Sequence, residues 1–373
     1  LSVGGNDYGY FGHDDLDSKD LYYVKSNLKL KKQQQFNAKG RKTGSLVKGF
    51  IKPVLQFFNN NVMVPDYSIT SILSVYFKSI ELIDKNNINS VIISAPPHGL
   101  SLVLLLLKKK RPNINYILEY RDSWNTQPIF KKSNYISNKI SVFWEKLILN
   151  SINTLVYVSP VVPELIKKEL GVDITKKSSL IMNGFVPPSG ANYINQPDSK
   201  TCIKLAYFGV INDFENSFRS IVFIEKLLNN CDLTVEIDIY GHIEFEKFDV
   251  NRAKAINYVG SIDHQDVFDK TQEYNYLVIL HTDKASSFEP IPGKFFDYIQ
   301  SRRPIICIMS PDAFISKFII ENSLGVVFDP ELIDTIDFEK ELDGLEFNDS
   351  FDFTIYSREL QFNKYIPLLN MDD

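Results

Sequence analysis

Between residues 90 and 182, short β-branched runs alternate with longer amphipathic stretches. Ser90-Val-Ile-Ile-Ser94, Tyr116-Ile-Leu-Glu-Tyr120, Thr154-Leu-Val-Tyr-Val158 and Ser179-Leu-Ile-Met182 predict buried strands, being short, apolar and bounded by polar residues. Residues 101–110, 133–151 and 161–170 predict helices, the last stopped by Gly171. A strand–helix–strand order implies a parallel sheet covered by helices, because a parallel connection must cross the face of the sheet.

The alternation pauses over a polar stretch, Val186-Pro187-Pro188 to Lys200, which reads as a domain boundary. It then restarts. Strands are expected at 203–208, 235–240, 276–280 and 304–308, and helices at 217–228, 265–273, 294–300 and 312–322. Residues 356–369 predict a terminal helix. The expected α/β organisation is an N-terminal Rossmann-like domain over 1–186, a second over 187–355, and a terminal helix over 356–373 that crosses back to the first domain. Two such modules side by side would form a cleft, a favoured place for a ligand.

Residues 1–88 are less regular. Residues 29–41 are polar and basic, while 45–58 are amphipathic, with Pro53 breaking or kinking any helix there. That stretch reads as a core-facing helix with a solvated basic side, or as a membrane-surface helix. Asp15-Leu-Asp17 imitates a metal-binding pair but lacks a preceding strand, and reads as solvated.

A length of 373 residues suits two domains better than one core. Hydrophobic residues at 44% and charged residues at 23% place the chain among ordinary globular proteins. The net charge of −5 leaves no footprint for nucleic acid. Cys202, Cys231 and Cys307 are far apart and odd in number, which suggests buried, reduced thiols rather than a zinc site. No basic region followed by an apolar run opens the chain, and the apolar stretch 100–107 is far short of the ~20 residues that span a bilayer. The expected location is cytoplasmic, with peripheral contact on the inner membrane face left open. The sequence opens without Met, so the completeness of its N-terminus is also open.

Ile92-Ile-Ser-Ala-Pro-Pro-His98, an apolar helix, and Glu119-Tyr-Arg-Asp-Ser-Trp124 together resemble the N-terminal domain of bacterial family 4 glycosyltransferases. Val158-Ser159-Pro160 and Met182-Asn183-Gly184-Phe185 are similar to that family's strand end and linker entry. Phe288-Glu-Pro-Ile-Pro-Gly-Lys-Phe-Phe-Asp-Tyr298, followed by Arg303-Pro304-Ile305, resembles its donor-site loop and helix. The resemblance covers roughly 88–330. It implies a GT-B fold and a transfer, retaining and metal-independent, from a nucleotide-sugar donor to a saccharide or lipid-linked glycan. A UDP-sugar is the first expectation, no further cofactor is expected, and surface polysaccharide synthesis is the expected pathway.

The chemistry such a transfer needs can be placed on residues. Pro292-Gly293 opens a helix at Lys294, and a helix N-terminus presents N–H groups and partial positive charge to a phosphate. The resemblance gives Glu289 the donor-sugar hydroxyls and Asp297 the ribose hydroxyls, with Asp standing where the family has Glu. Gly209 would admit a phosphate to the backbone. The family's base soon after that glycine is missing, so Arg219 would have to reach back from its helix. Gly241, His242, Gly260 and Ile262 are candidate nucleotide contacts, and His264 is expected near the base pocket. In the first domain Asp122 could orient the acceptor hydroxyl, or Arg121 could pair with it structurally. Trp124 could be a sugar-stacking platform or simply buried. His98 could be an acceptor ligand or base, or structural. No metal site is expected. A nucleotide-sugar epimerase or hydrolase of the same fold, or a non-enzymatic sugar-binding protein, are the competing readings.

Overall fold

The computed structural model describes residues 63–370 apart from 189, 191–192, 195–201, 213–216, 230–232 and 245–254, and a two-residue strand pair, Ser2–Val3 with Tyr23–Val24. The readings placed on 29–41, 45–58, Asp15-Leu-Asp17 and Cys231 lie outside the described residues. The chain divides into two compact units. Leu1–Tyr157, Val162–Leu180 and Pro367–Asp373 form unit 1, and Val158–Val161 with Ile181–Ile366 form unit 2.

Unit 1 holds a four-stranded parallel sheet, β1 (Ser90–Ala95), β2 (Asn115–Tyr120), β3 (Thr154–Tyr157) and β4 (Ser178–Leu180), in that spatial order. The inner strand β2 is buried at every position but Glu119, which explains its continuous apolar run. Helices α1 (Ile72–Asn86), α2 (Val103–Lys110), α3 (Tyr135–Ser151) and α4 (Val162–Leu170) accompany the sheet. Asn134 caps α3 by accepting from the N–H groups of Ile136 and Ser137 at 2.9 and 3.2 Å. Leu104, Leu107, Tyr116, Leu118, Ile148 and Leu155 form the core, each such burial stabilising by about 1.5–3 kcal/mol. The chain's tail joins this unit. Asn115 Nδ2 donates to the Leu368 carbonyl at 2.7 Å, and Ser90 Oγ donates to that of Leu369 at 2.8 Å. The single terminal helix expected over 356–369 is instead two short pieces, Arg358–Asn363 and Ile366–Leu369. Pro367 has no N–H to give the Asn363 carbonyl, so the helix cannot run through.

Unit 2 holds a six-stranded parallel sheet of β5 (Ile203–Phe208), β6 (Val235–Tyr240), β7 (Ile256–Gly260), β8 (Tyr276–His281), β9 (Ile305–Met309) and β10 (Gly325–Phe328). Strands β7 and β10, at the two ends of the sheet, escape the hydrophobic pattern, β7 with three exposed positions and β10 only four residues long. The spatial order is β7-β6-β5-β8-β9-β10. The order reverses between β5 and β8, and in open parallel sheets ligands bind beyond the carboxyl ends of the strands at such a reversal.

The two strands part there. β5 pairs with β6 at six positions but with β8 at only two, Tyr276↔Leu205 and Leu277↔Ala206. Helices α5 (Val222–Asn229), α6 (Val267–Thr271), α7 (Gly293–Ser301) and α8 (Phe314–Glu321) cover the sheet. From α7, the Tyr298 hydroxyl enters the gap, accepting from the Phe208 N–H at 3.1 Å and donating to the Val278 carbonyl at 3.2 Å. Both main-chain groups are thereby satisfied where the ladder stops.

Candidate functional site

Gly209 follows β5 with φ +141°, and Gly241 follows β6 with φ +137°. The Gly209 N–H donates to the Tyr240 carbonyl at 2.7 Å, and the Gly241 N–H to that of Gly260 at 2.9 Å. A Cβ on Gly241 would lie 2.2 Å from the Gly209 carbonyl oxygen. Close approach and left-handed backbone both require glycine here, and they bring three strand ends into one row.

Lys294 stands over this row. Its Nζ is 3.7 Å from the Tyr207 ring centroid and 2.8 Å from where a Cβ on Gly209 would sit. Lys294 is the second residue of α7, whose N-cap, Pro292, makes no side-chain cap. The Phe295 N–H finds the Pro292 carbonyl at 2.9 Å, and the helix start keeps its partial positive charge. Burial holds the Lys294 ammonium well below the usual lysine range, and Arg219 pushes it the same way.

Arg219 reaches this place by a route the sequence pattern hid. The helix expected from residue 217 begins at Val222, and residues 217–220 form a pinned turn instead. The Asn212 N–H donates to the Arg219 carbonyl at 3.1 Å and the Thr282 N–H to that of Phe218 at 3.0 Å. The Thr282 hydroxyl adds a bond to the Ser217 carbonyl at 3.0 Å. The turn is thus tied to the segments that follow β5 and β8. Arg219 Cζ lies 4.9 Å from the Phe218 ring, itself 4.9 Å from the ring of His281. Burial first, then Arg219, brings His281 down to about 4, so it is neutral near pH 7. Among the described residues no carboxylate is paired with Lys294 or Arg219. Two cations and an uncapped helix N-terminus around a glycine turn suit an anion such as a phosphate.

The acidic candidates sit on the same segment. Glu289 is buried. Asp297 is half-buried on α7, its Oδ2 3.6 Å from His264 Nε2, and this contact raises the His264 pKa. His242 is exposed, and its carbonyl accepts from the Ile211 N–H at 3.1 Å. Ile262 is half-buried just past the end of β7. Gly209, Arg219, Gly241 and Lys294 are therefore brought together, with Pro292 and Gly293 at the helix mouth, while Gly260, His242 and Ile262 follow the neighbouring strand ends. His281 was not anticipated. Its signal is its place as the last residue of β8, beside the reversal of strand order.

In unit 1, Arg121 and Asp122 directly follow β2, and the Arg121 N–H extends the ladder to the Ala95 carbonyl at 2.9 Å. Burial raises the Asp122 carboxyl pKa, opposed by Arg121. The loop carrying them is fixed by Glu145, a wholly buried carboxylate on α3 that the sequence reading overlooked. It accepts from the Tyr120 hydroxyl at 3.0 Å and from the Asn125 N–H and Nδ2 at 3.0 and 2.7 Å. Ser141 Oγ donates to Asn125 Oδ1 at 2.9 Å. The available signal was an acidic residue among Ser141, Ile148 and Leu149, on the helix's inward face.

Trp124 has no exposed surface and stacks on His98 with ring centroids 5.3 Å apart and planes 9° apart. This corrects the reading of Trp124 as an open sugar platform. His98 is likewise enclosed, with Tyr120 and Phe130 edge-on to it. Both its ring nitrogens lack a hydrogen-bond partner, and burial brings its pKa down to about 4. It is a neutral core imidazole, not a base open to an acceptor. Among the described residues no group of His, Cys, Asp and Glu side chains could hold a metal ion, and no helix is long and apolar enough to cross a membrane.

Two units of parallel strands and covering helices, one with its strand order reversed at the site, define the class of this chain's architecture as the GT-B fold. No protein-family model and no curated protein matches the sequence. Among solved structures the chain is similar to the lipopolysaccharide outer core galactosyltransferase WaaB in its apo form, at 15% identity over 81% of each chain with a TM-score of 0.59. It is also similar to sucrose-phosphate synthase from Thermosynechococcus elongatus, at 12% identity over 81% of this chain and 74% of that one, TM-score 0.52. An α,α-trehalose-phosphate synthase (UDP-forming) from Burkholderia xenovorans, in complex with glucose-6-phosphate, matches at 9% identity over 81% and 77%, TM-score 0.55. At these identities the likeness is one of fold.

Proposed function

We propose that this chain is a glycosyltransferase that moves a sugar from a nucleotide-diphosphate donor, a UDP-sugar foremost, to a saccharide or lipid-linked glycan. In this reading the transfer retains configuration, needs no metal, and serves surface polysaccharide synthesis on the cytoplasmic side. The observation that carries the reading is the meeting of Lys294, Arg219 and the mouth of α7 at Gly209, with no carboxylate paired to either cation among the described residues. A leaving nucleoside diphosphate develops negative charge as the glycosidic bond breaks, and preorganised cations and amide dipoles stabilise that charge without a proton transfer. Glu289 takes donor-sugar hydroxyls and Asp297 those of the ribose, since a carboxylate accepts from two vicinal hydroxyls. Gly241, His242, Gly260 and Ile262 flank the nucleotide. Asp122 orients the acceptor hydroxyl, and its raised pKa improves it as a proton acceptor.

The test is the melting temperature with UDP, GDP, dTDP, ADP and CMP, each with and without Mg²⁺. A ligand that binds only the folded state raises the midpoint. The expected result is a metal-independent rise with one nucleoside diphosphate, reduced in Arg219→Gln. A folded full-length protein that responds to none of them would refute the reading.

A further inference from the structure

Helix α3 is apolar on two faces. Its inner face packs into the unit 1 core through Ile148 and Leu149, with Ser141 and Glu145 also buried. Its outer face carries Ile136, Ile140, Phe143 and Leu147, spaced four, three and four residues apart, and these are 67, 42, 59 and 39% exposed. That spacing aligns them in one stripe along the helix. Single exposed apolar residues are ordinary, but a stripe four deep is not. Neighbouring helices of unit 1 also expose apolar side chains. Helix α2, which packs against both α3 and α1, exposes Leu106, and α1 exposes Phe77.

The charge of the stripe selects its occupant. Glu145, the one acidic residue of α3, is wholly buried and hydrogen-bonded inward. The remaining charges of the helix are Lys139 and Lys146, both flanking the stripe from one side; Lys139 Nζ lies 4.5 Å from the ring of Tyr135, 70% exposed at the helix start. Apolar side chains bordered by lysines and an aromatic, with no outward acid on the helix, match the boundary between acyl chains and anionic headgroups. A second copy of the same face would bring lysines against lysines.

We infer that the outer face of α3 docks unit 1 onto an anionic lipid bilayer surface, with Ile140, Phe143 and Leu147 entering the interface and Lys139 and Lys146 meeting headgroup phosphates. The inference does not depend on the nucleotide site. It places an enzyme acting on a lipid-linked acceptor where that acceptor resides.

The experiment is co-sedimentation of the full chain with phosphatidylcholine vesicles, with and without phosphatidylglycerol, alongside melting curves and gel filtration. Binding is expected only with phosphatidylglycerol and should weaken as salt is raised. Phe143→Glu should weaken it about tenfold or more, and Lys139→Gln and Lys146→Gln about fivefold each. All three should melt with the wild type and keep its nucleotide-induced shift. A folded wild-type protein that ignores anionic vesicles would overturn the inference, as would binding indifferent to the three substitutions. It is equally overturned if Phe143→Glu lowers the melting point as a core substitution does, since the face is then covered by the chain's own N-terminal segment, or if it turns a dimer into a monomer. Loss of the nucleotide shift alone bears on the donor site and leaves the lipid inference standing.

Discussion

Replacing Lys294 by Met removes the ammonium while keeping most of the length of its stem, and it separates the needs of the fold from those of the site. In the protein the ammonium lies 3.7 Å from the Tyr207 ring centroid, with no carboxylate partner among the described residues. Two effects on stability oppose each other. Loss of the cation–π contact costs about 0.5–2 kcal/mol. Relief from holding a charge where burial disfavours it acts in the other direction. Lys294→Met should therefore melt above the wild type or no more than about 8 °C below it, the latter corresponding to the full ~2 kcal/mol loss with no relief in a unit of this size. Binding has no such compensation. A charge-assisted contact to phosphate is worth about 1.5–3 kcal/mol, so the dissociation constant should rise about ten- to a hundredfold. The pH dependence has a definite sign. A lysine whose folded pKa lies below its unfolded value destabilises the fold while charged, so wild-type stability gains as pH rises through the folded pKa, and Lys294→Met lacks that gain. Scanning fluorimetry and titration calorimetry with the stabilising nucleotide provide the readings. An unchanged dissociation constant would refute the anion site, and a large drop in melting point would show that the lysine serves the fold.

Gly241→Ala would place a Cβ 2.2 Å from the Gly209 carbonyl oxygen at φ +137°, so it should lose about 2 kcal/mol or more and reduce the nucleotide-induced shift. Denaturant midpoint and fluorimetry would check both parts. Glu145→Gln should lower stability by about 1–3 kcal/mol, because the amide offers one acceptor oxygen where the carboxylate offers two, so it cannot accept both from the Tyr120 hydroxyl and from the Asn125 N–H and Nδ2. A reduced midpoint with an unchanged denaturant slope is the expected reading. Asp297 raises the His264 pKa, so their contact helps the fold below the unfolded histidine value and is lost as pH rises through the higher folded value. An NMR titration of His264 should show that elevation and lose it in Asp297→Asn.

Much of the fold is legible in the sequence because β2, β5, β6 and β9 are inner strands whose apolar runs do not depend on context. Strands β7 and β10 were not legible, since β7 exposes three of its five positions and β10 is only four residues long. Helix α1 also went unread, and it carries apolar residues outside its buried positions, Leu73 and Phe77 among them. In the candidate site, Lys294 and Gly209 could be named from a helix start and a strand end. Arg219 could be named but not placed, because it is positioned by main-chain bonds from Asn212 and Thr282 that no periodicity encodes. Trp124 and His98 were candidates by type, and burial, which only the packed loop after β2 reveals, decided against their exposure.

The Tyr298 hydroxyl, held between Phe208 and Val278, lies one helical turn from Lys294 on the same side of α7. The group that keeps the strands apart and the group that faces the gap belong to one rigid rod. Sliding that rod would orphan two buried main-chain groups before the ammonium had moved by a bond length. The spacing between cation and glycine turn is therefore set during folding, so an anion of the kind proposed would meet it already set, with little rearrangement left to cost it affinity.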